Sequence, residues 1–233
     1  MLYYRKFGFE IGCFGKQCQY LLSMIPSFDM KDGYFVLVDE SNRKQVLSDV
    51  KQLYGAWEVK YNGMIHNEGY EYAFVTESNL YKDQEFTYLY YRGSGKPSAY
   101  FTIHKEMRNE GQIVVCTRLV YAGKEGLQGF LALVKTMESD HVQVIFTIPA
   151  CKTMECLVKE WSMGAFSENQ IPLGMVRVVN VERVLKKAAY RGNGQVILGI
   201  TNSVLPQNNG SYWIRFTNGT LTAIERMPQD QVP

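Results

Sequence analysis

Apolar positions fall into two kinds of period along this chain. Runs rich in β-branched and aromatic residues at 17–25 (QCQYLLSMI) and 34–39 (YFVLVD), bounded by the turn formers Pro26, Asp32 and Gly33, predict strands. Val46, Val50 and Leu53 recur at helical spacing between Asn42 and Tyr54, so a helix follows the second strand. Three aromatic-rich runs come next, at 70–76 (GYEYAFV), 86–91 (FTYLYY) and 98–104 (SAYFTIH). Polar stretches around Asn79 and at Gly93-Ser94-Gly95-Lys96-Pro97 separate them, which predicts an antiparallel meander. A long strand is expected over 112–121 and a helix over 123–137, where Leu127, Phe130, Leu131 and Val134 share one face. A strand at 142–148, a helix from about Met154 to Trp161 and a turn at Ile171-Pro172-Leu173-Gly174 complete this part.

From Met175 the pattern shortens. It predicts a strand (MVRVV), a helix over Val181 to Ala189, and strands at 195–201, 211–217 and 220–225. A domain boundary is placed near Gln170. The fold class is α+β: a mixed, largely antiparallel sheet with flanking helices, then a smaller αβ unit. Met227 to Pro233 is polar and proline-bearing and reads as a loop or a cut end.

Composition narrows the function classes. With 25 Lys+Arg against 23 Asp+Glu the formal charge is +2, too small to mark a nucleic-acid or acidic-membrane partner. No apolar run approaches the ~20 residues that span a bilayer, and no signal-peptide core follows Met1, so a cytoplasmic protein is expected. The aromatic runs 70–76 and 86–91 are readable as RNA-stacking platforms or as packed sheet faces, and near-neutral charge favours sheet faces. Five cysteines form an odd, sparse set best read as reduced thiols. Cys13 with Cys18, and Cys151 with Cys156, share a C-x4-C spacing, but His66, His104 and His141 lie far from both pairs and no metal is expected. Cys18, Cys116 and Cys156 sit in apolar stretches and read as small core residues. There is no G-x-S-x-G elbow for a serine hydrolase.

Two segments carry a resemblance. Tyr3-Tyr4-Arg5-Lys6-Phe7-Gly8-Phe9-Glu10 resembles the Y-x-x-F-G-F/Y segment near the end of a GNAT acetyltransferase domain, with Tyr4 at the position of the family's catalytic tyrosine. Gly174-Met175-Val176-Arg177-Val178-Val179-Asn180-Val181-Glu182 is similar to the run that opens the sterol-carrier-protein-like domain of the Eis-like multidomain GNAT N-acetyltransferases. Gly194 to Leu198, Pro206, and Asn208-Asn209-Gly210 followed by Ser211-Tyr212-Trp213 resemble that domain's early strands and turn. Asn180 stands where the family more often has Asp, and either residue suits a helix N-cap.

The resemblance implies three parts. Residues 1–25 are the tail of a first, catalytic GNAT domain. Residues 26–170 are a second, degenerate GNAT domain, and 171–233 are part of the sterol-carrier-like domain. It further implies an acetyl-CoA-dependent N-acetyltransferase acting on a primary amine of the aminoglycoside, polyamine or lysine class, with Tyr4 protonating the leaving thiolate. The competing reading of Tyr4 is that it and Phe7 merely pack. A homo-oligomer is also in keeping with the family. Such a domain holds pyrophosphate on a Gly-containing turn between strand and helix. Here the nearest candidate, Gly123-x-x-Gly126-x-x-Gly129, lacks the leading Arg or Gln and carries Glu125, and a plain helix-start turn is the alternative. Gly93-Ser94-Gly95-Lys96 fails because Pro97 resumes the strand. The chain alone is therefore expected to be incomplete and inactive. The competing function is a non-catalytic binding module or pseudoenzyme holding an apolar ligand or a partner subunit.

Overall fold

The computed structural model describes residues 2–30, 33–60, 72–77, 79–154, 157 and 165–227. Contacts divide the chain into two compact units, Phe14–Pro172 and Met1–Cys13 with Leu173–Pro233.

The larger unit is organised by a seven-stranded sheet whose order is β2-β3-β4-β5-β6-β1-β7. Its strands are β1 (Glu10–Leu21), β2 (Tyr34–Leu37), β3 (Phe86–Tyr91), β4 (Pro97–Arg108), β5 (Gly111–Tyr121), β6 (Gln143–Pro149) and β7 (Phe166–Val176). β2, β3, β4 and β5 pair antiparallel in succession, as do β1 and β6. Of the three runs expected in a meander, 86–91 and 98–104 pair antiparallel, and the α+β class holds.

β5 and β6 are parallel, joined by the crossover helix α5 (Gly123–Lys135), and they pair only through Ile113–Val115 and Gln143–Ile145. Leu127, Phe130, Leu131 and Val134 of α5 are buried against the sheet, and Val46, Val50, Leu53 and Trp57 of α2 (Arg43–Glu58) are buried likewise. Both helical stripes are those given by the 3.6-residue period. Phe101, Phe130 and Phe146 meet edge to face at 5.0 and 5.2 Å in the core.

Several expectations are corrected. The run 70–76 is not a strand across its described part: Ala73–Thr76 form one helical turn, α3, with Val75 buried and Phe74 stacked on Tyr100 at 5.7 Å. Leu80–Asp83 form a further turn, α4, capped by the Asn79 side chain. The first strand begins at Glu10 and ends at Leu21, and Leu22–Met24 close into a 3-10 turn. The glycines at 12 and 15 hid its first half; at Gly12 a methyl group would overlap the Val176 side chain, so the bare backbone permits that close approach. The turn expected at 171–174 lies inside β7, and no strand continues over 177–179. Pro172 is tolerated because β7 is an edge strand. The helix expected from Met154 to Trp161 lies mostly outside the described residues.

The smaller unit holds α1 (Leu2–Arg5), α6 (Val181–Lys187) and an antiparallel sheet ordered β10-β9-β8, from β8 (Gly194–Ile200), β9 (Gly210–Thr217) and β10 (Thr220–Met227). Asn180 is the N-cap of α6 as expected, accepting the Arg183 N–H at 2.8 Å. Asn208 is buried and ties the loop before α6 together, its amide reaching the carbonyls of Val178 and Val179 and its oxygen the Val181 N–H. Tyr190 stacks on Phe216 at 4.8 Å.

Candidate functional site

The Tyr4 segment folds locally. α1 is a single turn, and the amides of Phe7 and Phe9 both return to the Tyr4 carbonyl, at 3.0 and 3.3 Å. Gly8 permits this reversal by adopting φ +74°, a region that costs other residues strain. The reversal gathers Tyr3, Tyr4, Phe7 and Phe9 around a groove of about 500 Å³ that Met175 completes. Tyr4 is 55% exposed and meets the edges of Tyr3 and Phe9 at 5.5 and 6.2 Å. Its hydroxyl is therefore neither sealed in the core nor remote from a cavity.

The Gly123 turn starts α5 immediately after β5, at the end of the β5–β6 pair where the strands no longer bond to each other. Gly123 takes φ +69° and has open space where a side chain would stand. The other two glycines serve packing. A methyl group at Gly126 would overlap the Ser98 carbonyl oxygen, and one at Gly129 would overlap the Tyr90 ring. They let α5 lie close against β4 and β3, which is a different task from letting a phosphate approach backbone amides.

Glu125 turns aside to Arg92 at 2.7 Å, and Arg92 also donates to the Ser98 hydroxyl at 2.8 Å. A slot of about 270 Å³ remains at the turn. Lys60, Lys124 and Lys152 flank it, and Trp57, Tyr121, Leu127 and Leu157 line it. Trp57 and Tyr121 are both buried and pack edge to face at 4.7 Å. The slot is positively flanked. Gly126 and Gly129 are committed to packing, so of the three glycines only Gly123 faces open space.

Sequence reasoning missed a polar cavity of about 370 Å³ lined by Asp29, Tyr90, Arg92, Glu125 and Gln128 among others. The pairing of Arg92 with Glu125 has no signature in either segment alone. His104 bonds Glu106 at 3.0 Å on β4, whereas His141 is buried with its Nδ1 3.3 Å from the Met137 carbonyl oxygen. His66 lies outside the described residues, as does Cys156. Cys18 and Cys116 are core residues as expected. Burial pushes the Cys18 thiol up to about 12, with Glu168 adding to the shift, and burial raises Cys116 as well. The β3 aromatics pack within the sheet, Tyr88 on Phe101 at 5.9 Å and Tyr90 on Phe35 at 5.2 Å. Among the described residues no helix is long and apolar enough to cross a membrane.

No protein-family model and no curated protein matches the chain. Solved structures do match. The chain is similar to a GCN5-related N-acetyltransferase from Anabaena variabilis, with TM-score 0.75 and 19% identity over 97% of this chain and 56% of that one. A probable N-acyltransferase from Enterococcus faecalis aligns with TM-score 0.72 and 15% identity over 98% and 56% of the two chains. Eis1 from Mycobacterium abscessus aligns with TM-score 0.67 and 14% identity over 99% and 57%. The chain thus spans little more than half the length of these neighbours, and its fold is that of GNAT-family N-acetyltransferases.

Proposed function

We propose that the chain supplies part of an acetyl-CoA-dependent N-acetyltransferase acting on a primary amine of the aminoglycoside, polyamine or lysine class. The observation that carries this reading is Tyr4, an open phenol in an aromatic groove, on a chain whose fold follows GNAT N-acetyltransferases over nearly its whole length. Residues 26–170 are read as a second, degenerate GNAT domain without its own cofactor site, and 171–233 as part of the sterol-carrier-like domain, by the resemblance from Gly174 to Glu182.

Acetyl-CoA would supply a thioester, whose acyl carbon forms a bond to the amine nitrogen as its bond to sulfur breaks, the nitrogen giving up one proton to solvent. Tyr4 holds the proton that the departing thiolate takes up. A protonated phenol can give its proton to the leaving sulfur. The surrounding rings and the Met175 thioether suit a soft sulfur atom. The phosphates are assigned to residues outside this chain, because Gly126 and Gly129 pack against protein and the turn lacks the leading Arg or Gln.

Thiol release from acetyl-CoA in the presence of an amine panel tests the proposal. The chain by itself is expected to be inactive. The same chain extended N-terminally by a GNAT segment bearing an R/Q-x-x-G-x-G/A turn is expected to turn over, and Tyr4→Phe to lower its rate by ~10²-fold or more. Unchanged turnover in Tyr4→Phe refutes the role given to the phenol. Micromolar acetyl-CoA binding to the isolated chain by calorimetry refutes the assignment of the phosphate site. A second reading, a non-catalytic module for an apolar ligand, draws on the apolar character of the same groove, and a lipid retained in the native mass spectrum of the purified protein favours it.

A further inference from the structure

The polar cavity of about 370 Å³ lies within the larger unit, where the loop after the 3-10 turn, the end of β3 and the start of α5 meet. Its donors are anchored but not satisfied. Arg92 is held through Nε, which donates to the Ser98 hydroxyl at 2.8 Å and meets Glu125 at 2.7 Å, and Ser98 is fully buried. The two terminal nitrogens of Arg92 make no hydrogen bond to any described residue, and together they form the forked edge that matches a carboxylate. Tyr90 is 4% exposed, with its ring against Gly129 and its hydroxyl reaching towards Gly33, yet no described residue hydrogen-bonds that hydroxyl. A buried phenol without a partner costs free energy that a ligand oxygen would relieve. Burial raises its pKa, with Glu125 adding to the shift and Arg92 opposing it, so the hydroxyl stays a donor at neutral pH.

We propose that this cavity binds a free α-amino acid with an apolar side chain, its carboxylate taken by Arg92 and Tyr90, its ammonium by Asp29 and Glu125. The charges on the wall favour a ligand that carries both signs. Asp29 and Glu125 line the cavity against the single guanidinium of Arg92. A purely anionic ligand would set its charge beside two carboxylates, and a purely cationic one would leave the Arg92 fork unmet. An α-amino acid places an ammonium and a carboxylate one carbon apart and answers both. Phe28 and Met30, half-buried and packed against the core, supply the apolar wall for its side chain. Neither Arg92 with Glu125 nor Tyr90 is needed for the acyl-transfer reading, so the proposal stands apart from it, and its test uses no turnover.

Isothermal titration calorimetry of the full chain with L-leucine and L-phenylalanine is expected to give dissociation constants of ~0.1–1 mM. 4-Methylpentanoate, which is leucine without its amino group, and L-leucinamide, which lacks the carboxylate, are each expected to bind at least ~10-fold more weakly. Tyr90→Phe keeps the ring that packs on Gly129 and removes only the unpartnered hydroxyl. Its melting temperature is expected to equal or exceed that of the wild type while its leucine affinity falls by ~3–10-fold. Glu125→Gln is expected to weaken leucine and to strengthen 4-methylpentanoate, an exchange of preference that a purely structural role of Glu125 would not produce. Three results overturn the proposal: no saturable heat from either amino acid up to ~10 mM, equal affinity for leucine and 4-methylpentanoate, or leucine affinity unchanged in Tyr90→Phe. A lower melting temperature in Tyr90→Phe also overturns it, because the hydroxyl then serves the fold.

Discussion

Gly126→Ala separates the two tasks that a glycine at the start of α5 can perform. Built on the backbone, the new methyl carbon overlaps the Ser98 carbonyl oxygen and stands 3.1 Å from both the Ser98 carbonyl carbon and the Tyr121 Cβ. The obstacle is backbone. The same oxygen accepts the Ala122 N–H at 2.7 Å, so it cannot retreat without losing a bond that anchors the helix start. α5 must lift instead, by about an ångström, and a gap of that size forfeits a quarter to a half of each dispersion contact made by Leu127 and Phe130.

Overpacking of this kind costs ~1–3 kcal/mol, and a rigid obstacle places it near the upper end. Alanine returns ~1 kcal/mol through helix propensity, which leaves a net loss of about 2 kcal/mol. For a chain of this size that lowers the melting temperature by ~4–8 °C. Gly55→Ala is the matched control: Gly55 lies in α2 with no atom within 4 Å of the added methyl, so propensity alone acts and stability rises by ~0.5–1 kcal/mol. Thermal and urea unfolding followed by circular dichroism measure both variants. A Gly126→Ala protein as stable as wild type refutes the packing account and returns Gly126 to the role of a ligand-approach residue.

Alkaline pH is expected to destabilise the larger unit through its buried thiols and phenols. The Cys18 pKa is raised from 9.0 to about 12 by burial, so the stability it contributes is complete below pH ~9 and is lost as pH climbs towards 12. Cys18→Ala should flatten the fall in urea midpoint over that window, and an unchanged slope contradicts it. At the other unit, Asn180→Ala removes the side chain that accepts the Arg183 N–H and should cost ~1 kcal/mol, read as a lower melting midpoint, whereas Asn180→Asp should retain most of the wild-type value.

Much of the architecture was legible because local pattern and tertiary demand agree. In β3, β4 and β5 the β-branched and aromatic runs coincide with buried strands, and in α2 and α5 the apolar stripe is the face that packs. The failures have physical causes. β7 carries Glu168, Asn169, Gln170 and Pro172, the composition of a loop. It is nonetheless a strand because an edge position tolerates the proline, and Tyr20 and Lys16 on β1 bind Glu168 at 2.5 and 3.0 Å. α3 was hidden because Phe74 and Val75 satisfy a strand pattern as well as they satisfy a single buried turn. Tyr4 was legible only through its resemblance. Nothing in periodicity says that Met175, from the far end of the chain, completes the groove around it.

The crossover from β5 through α5 to β6 joins two parallel strands and places a helix start at the opening between them, an arrangement that favours an anion. Trp57 and Tyr121 pack their buried rings beside it, and Gly126 and Gly129 draw α5 onto Ser98 and Tyr90. Lys60, Lys124 and Lys152 flank a slot of about 270 Å³ there. Glycine spacing records only that something comes close to the backbone. Whether that neighbour is a phosphate or a carbonyl is decided by the strand across the helix, which is why the chemistry proposed for this chain rests on the phenol and not on the glycines.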